Sequence, residues 1–205
     1  MTQLDLGLHA TLRARTSEAH ALAESSPFLE HLLAGQLAQW GLARYLGRLL
    51  PVYEALERHA PELTALGFHQ PALERVPALR RDLAVLGGHP ELTPAVQRYT
   101  ERIDAATGRR AALVAHHYTR YLGDLSGGQV MRVALQRSLG VDGETGGAFF
   151  VFSGVVPGHV KTAYRELIDT VDWTEAERDE LVEEALVAYK LNRDLLAELD
   201  AGVAA

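Results

Sequence analysis

The chain has 205 residues, 47% of them hydrophobic, a formal net charge of −7 and no cysteine. Its length suits one core and is short for two, so a single domain over residues 1–205 is expected; the acidic balance argues against a general nucleic-acid binder, which sets clustered Lys and Arg against phosphates. The missing cysteine excludes disulfides, thiolate ligands and thiol nucleophiles, and with neither a secretory leader nor a run of about 18 apolar residues the expectation is a cytoplasmic protein without a membrane anchor.

Leu, Ala, Glu and Arg recur at helical spacing and alternating β-branched runs are nearly missing, which predicts an all-α architecture. In chain order the pattern places helices near 6–24, 27–34, 37–59, 72–86, 93–107, 109–139, 158–171 and 175–200. Ser26-Pro27 and Thr93-Pro94 each set a capping hydroxyl before a proline suited to the first helical position, and Thr174-Glu175-Ala176-Glu177 reads as a capping box. Leu86-Gly87-Gly88 and Leu139-Gly140 read as stops, because glycine takes the left-handed conformation without a Cβ clash. Residues 140–158 form the one long loop-like stretch, and its apolar insert Phe149-Phe150-Val151-Phe152 is too short to found a sheet.

Within the 109–139 helix, Gly123, Gly127 and Gly128 interrupt good helix formers at a cost of roughly 1 kcal/mol each relative to alanine. Gly123 and Gly127 are four apart, which predicts a bare strip of backbone that a flat ligand can approach. Arg120 and Asp124 are also four apart and are expected to pair beside that strip. A helix kink or a close helix crossing is the plainer explanation for a glycine pair alone. In the last helix, Leu181, Ala185, Ala188, Asn192, Leu195 and Leu199 share a face. The amide of Asn192 in that apolar stripe calls for a polar partner inside the protein.

The run Tyr121-Leu122-Gly123-Asp124-Leu125-Ser126-Gly127-Gly128-Gln129 resembles the distal-helix motif of the haem oxygenases. The resemblance extends to Glu18-Ala19-His20, to 53–57, to 113–120, to 147–152 and to 189–192, and it is weakest over 60–108. It implies an all-α, single-domain haem oxygenase fold with haem between the first helix and the glycine-rich distal helix. The implied activity is oxidative opening of haem to biliverdin, CO and ferrous iron. O₂ and an electron donor such as a ferredoxin or an NADPH-dependent reductase are the implied partners, and a monomer is the default.

Among nine histidines the resemblance selects His20 as the iron ligand, and Glu24, one turn later, is placed to accept the imidazole's other N–H and fix its tautomer. Haem carries two propionates, for which Arg13, Lys161 and Arg165 are the matching cations, with Tyr118 adding a hydroxyl. Lys161 and Arg165 match the arrangement that implies cleavage at the α-meso carbon. Asp124 is implied to act through water on bound oxygen, with Arg120, Tyr53 and Asn192 completing its hydrogen-bonded network and Gly123 and Gly127 giving close approach. Tyr189 and Leu196 stand where the family often has phenylalanine and are expected to wall one edge. Two other enzymes of helical architecture fit poorly: a thiaminase-like hydrolase needs a cysteine, and a di-iron bundle needs Glu-x-x-His pairs, which are missing. A non-catalytic haem carrier would keep His20 and the cations without needing the 123–127 arrangement, and a structural scaffold would need neither.

Overall fold

The computed structural model describes residues 7–203, all helices and connections with no strand among them. Ten helices follow one another: α1 Leu8–Glu24, α2 Pro27–Leu33, α3 Gln39–Arg58, α4 Ala60–Ala65, α5 Val76–Leu86, α6 Pro94–Asp104, α7 Arg110–His117, α8 Gly127–Leu139, α9 Pro157–Thr170 and α10 Glu175–Val203. Residue 6, expected to open the first helix, lies outside the described residues.

The capping signals act as the sequence implies. Ser26 Oγ accepts from Leu29 N at 3.2 Å and Thr93 Oγ1 from Val96 N at 3.4 Å. In the capping box, Glu177 N donates to Thr174 Oγ1 at 3.3 Å while Thr174 N donates to Glu177 Oε2 at 2.9 Å. Gly87 and Gly140, both with φ of 68°, close α5 and α8.

α3 is the pillar of the larger apolar cluster, burying Leu42, Leu46, Leu49, Val52, Tyr53 and Leu56 against α5, α6 and the Phe149-Phe150 turn. It continues through Pro51, whose ring cannot donate to the carbonyl of Gly47. Glu91 N takes that freed acceptor at 3.0 Å. The approach requires glycine at 47, since a Cβ there would stand 2.4 Å from His89 O. A second cluster joins α1, α7, α9 and α10 through Leu12, Leu113, Ile168, Trp173 and Leu181.

Three expectations need correction. The 109–139 segment is not one helix: α7 widens into a π-helical turn at Tyr118–Leu122 and returns to α geometry at Gly123-Asp124. The chain then turns at Leu125-Ser126 before α8 begins. Ser126, at φ −118° and ψ −86°, is where the helical conformation is lost. The longest helix is therefore α10. Residues 60–65, expected to connect, form α4, and the helix expected from 72 begins at Val76 behind a 3₁₀ turn at Pro71–Leu73.

Candidate active site

One wall of a cavity of about 700 Å³ is α1, whose residues His9, Arg13, Thr16, Ser17 and His20 recur at helical spacing along it. His20 Nδ1 lies 3.4 Å from Glu24 Oε2, and the Tyr189 ring meets the imidazole edge-on at 5.7 Å between centroids. The sequence places His20 on one face with Leu12, Thr16 and Ala23. Those three are buried, whereas the His20 side chain is 49% exposed and lines the cavity.

A second wall is the segment from Tyr118 to Gly127. A π turn holds one more residue than an α turn, and Tyr118, Thr119, Arg120, Leu122, Gly123 and Asp124 all border the cavity. Gly123 has helical φ −60° and ψ −49°, so its backbone does not demand glycine. Its special property is space: a Cβ at Gly123 or Gly127 would meet nothing within 4 Å. Gly128, by contrast, points at Asp124 Cβ and Phe150 and belongs to the packing.

Behind the glycines sits the polar network. Tyr53 OH donates to Asp124 Oδ2, and Arg120 reaches Tyr53 OH at 3.3 Å, Asp124 Oδ1 at 3.4 Å and Asn192 Oδ1 at 2.5 Å. The polar partner that Asn192 called for in its apolar stripe is thus Arg120. Asp124, Arg120 and Asn192 border the cavity while Tyr53, from α3, is fully buried behind Asp124. Burial pushes the Asp124 carboxyl above its ordinary range; the Arg120 charge and the Tyr53 hydrogen bond limit the rise. Burial opposes the Arg120 charge, yet Tyr53 and Asp124 hold the guanidinium well above its ordinary value, so it stays cationic. A carboxyl of raised proton affinity at a cavity wall is suited to taking and returning a proton through water.

Three cations share the lining. Lys161 and Arg165 from α9 and Arg13 from α1 all line the cavity, as does the Tyr118 hydroxyl's residue, and Lys161 Nζ donates to Ser126 Oγ at 3.2 Å. From α10, Tyr189, Asn192 and Leu196 complete the lining. Two of the contributors that sequence reasoning passed over carry ionisable rings. Tyr45, eight residues before Tyr53 on α3, lines the cavity, where burial raises its hydroxyl's pKa and the Arg120 charge opposes the rise. His9, four residues before Arg13, is the other.

The family model described as Heme oxygenase matches residues 6–198 of the chain. Heme oxygenase 1 of Homo sapiens is 35% identical over 206 residues, spanning 94% of this chain and 71% of its own length. Among solved structures, heme oxygenase-1 of the cyanobacterium Synechocystis, in complex with heme, superposes with a TM-score of 0.87 at 29% identity. That match covers 96% of this chain and 94% of the other. Heme oxygenase of Leptospira interrogans gives a TM-score of 0.86 at 31% identity over 94% and 100% of the two chains.

Proposed function

The chain belongs to the haem oxygenase family, and from that premise we propose how its cavity opens haem to biliverdin, CO and ferrous iron. Haem, at once substrate and prosthetic group, supplies the iron that takes O₂ and the ring carbon that is oxidised, with electrons from a separate donor such as a ferredoxin or an NADPH-dependent reductase. The residues fit this group. A cavity of about 700 Å³ lies within the ~300–1,000 Å³ common for small-molecule sites. It offers an imidazole on one wall, cations in the lining and two side-chain-free positions on another wall, where a planar ring can lie close to backbone.

His20 would hold the iron through Nε2, with the Glu24 carboxylate 3.4 Å from Nδ1 placed to orient the ring. Gly123 and Gly127 admit the macrocycle. Asp124 would order water at the cavity wall and relay protons through it, while Tyr53, Arg120 and Asn192 hold its carboxylate in place. Arg13, Lys161, Arg165 and Tyr118 would hold the propionates and so orient the ring, the arrangement expected to favour the α-meso carbon. Tyr189 and Leu196 wall one edge. The chain acts as a single-domain, cytoplasmic monomer; among the described residues no helix is long and apolar enough to cross a membrane.

The observation that carries this reading is the open space over Gly123 and Gly127 in a cavity shared with His20. A haem carrier would use the same imidazole and cations but has no use for the buried Asp124 network. Purified protein incubated with haem, a reductase system and O₂ separates the two: bilin with CO is expected, whereas a stable Soret band without bilin would make it a carrier. His20→Ala should lose the haem optical spectrum and regain it with added imidazole. An unchanged spectrum without imidazole would remove His20 as ligand.

A further inference from the structure

His9 is an ionisable cavity-lining side chain that neither the ring-opening chemistry nor the three cations of the lining account for. It lies in the first turn of α1, half-buried, on the face that Arg13, Thr16 and His20 continue at helical spacing. Its position is fixed from outside the helix. Gly7 precedes α1 without a side-chain cap, and Asp169 of α9 takes that part, accepting from His9 N at 2.7 Å. Glycine at 7 lets the carboxylate come this close, since a Cβ there would stand 2.8 Å from Asp169 Oδ1 and push the side chain aside. The cap ties the start of α1 to α9, which also carries Lys161 and Arg165, and so sets the imidazole beside those cations.

We propose that His9 is a further recognition residue for the substrate's carboxylates, one that takes up a proton as they arrive and makes binding tighten as pH falls. The inference rests on haem being the substrate. The charged and titratable groups that face His9 are Arg13 on its own helix and Arg165 and Asp169 on α9; Lys161 and Tyr118 stand further round the lining. Burial and then the Arg165 charge hold the imidazole below its ordinary 6.5, with Asp169 opposing, so His9 is neutral at neutral pH in the free protein. Two carboxylates placed among these groups reverse the balance around the ring. They neutralise the field of the arginines and stabilise imidazolium directly. Arg13, Lys161 and Arg165 supply attraction that does not vary with pH, whereas His9 adds a share that appears only below the pKa of the bound form.

The sign follows from linkage: a group whose pKa rises on binding takes up protons, so affinity increases as pH decreases. Ligation of haem iron by an imidazole varies with pH in its own right and would overlay the effect. Metal-free protoporphyrin removes that contribution, and its dimethyl ester removes the carboxylates. Binding of each to the full chain is read by porphyrin fluorescence between about pH 8 and about pH 6, a range that brackets the ordinary histidine value.

Protoporphyrin affinity for the wild type should rise on acidification, by up to about tenfold for each unit by which binding shifts the pKa. His9→Gln should bind with little pH dependence, at the weaker level the wild type shows at high pH. His9→Lys should bind tightly across the range, and the dimethyl ester should show no rise with either wild type or His9→Gln. Equal slopes for wild type and His9→Gln, or a slope that persists with the ester, would overturn the assignment while leaving the oxygenase reading intact. Protoporphyrin and haem both failing to bind would sink both.

Discussion

Tyr53 and Asp124 divide their work by position. Asp124 borders the cavity and can touch water there; Tyr53 is fully buried and acts through its partners Asp124 and Arg120. Asp124→Asn keeps the shape but removes the proton acceptor, so haem affinity should change little while bilin formation falls by about 10²–10⁴-fold, the usual reach of a positioned acid or base. Unimpaired ring opening in that variant would exclude Asp124 from the reaction. Tyr53→Phe should act differently. Its hydroxyl donates to the carboxylate and lowers the Asp124 pKa, so its loss lets burial raise that pKa further. The acid limb of the rate profile that depends on ionised Asp124 then moves to higher pH. A Tyr53→Phe profile that fell uniformly without moving along the pH axis would give Tyr53 a packing role only.

At the level of helices, Gly123 separates two demands that usually coincide. The position has ordinary helical φ and ψ, and an added Cβ would touch nothing within 4 Å. Gly123→Ala should therefore stabilise the apoprotein by up to about 1 kcal/mol through helix propensity alone. The same methyl enters the space proposed for the macrocycle, so haem affinity or turnover should fall. Thermal melts of the apoprotein beside haem titrations check both halves, and a variant that is more stable and equally active would place the ring elsewhere. The cost of the glycines was legible in the sequence because it appears residue by residue. So were the caps at Ser26, Thr93 and Thr174, where one side chain satisfies a backbone group three positions away. The π turn at Tyr118–Leu122 was not legible, since its residues suit an ordinary helix and carry no local signal for a wider turn. For the same reason the sequence located the Arg120–Asp124 pair but not the break at Leu125-Ser126 that ends the helix after it.

Over the whole molecule, the sequence reveals faces more readily than the charges trapped between them. Glu184 stands among Glu177, Glu180 and Glu183 on α10 and reads as one more solvated acid, yet its side chain is only 2% exposed. Arg102 from α6 binds it through two nitrogens at 2.7 and 2.6 Å, His116 Nε2 from α7 at 3.0 Å, and Arg109 approaches to 3.6 Å. One carboxylate thus joins α6 and α7 to α10, the helix that also carries Tyr189, Asn192 and Leu196 to the cavity. Burial alone would raise its pKa from 4.5, but the hydrogen bonds from His116 and Arg102 outweigh burial and hold it at about 2. A depressed carboxyl contributes stability that is whole above its unfolded pKa and is lost as pH falls through the folded one. The window here runs from about pH 4.5 down to about pH 2. The full shift corresponds to about 3 kcal/mol; with Arg102 and Arg109 each 40% exposed, solvent screening reduces the expected share to about 2 kcal/mol. Glu184→Gln should accordingly lower the neutral-pH melting temperature by about 4–8 °C and flatten its decline across the acid window. Arg120 follows α7 and bonds Asn192 of α10, two of the helices this carboxylate ties, so haem affinity of the variant should weaken before the global melt. Melting curves at several pH values settle the point: parallel acid declines in wild type and Glu184→Gln would mean that other carboxylates carry the acid transition and that this junction is held by its apolar contacts.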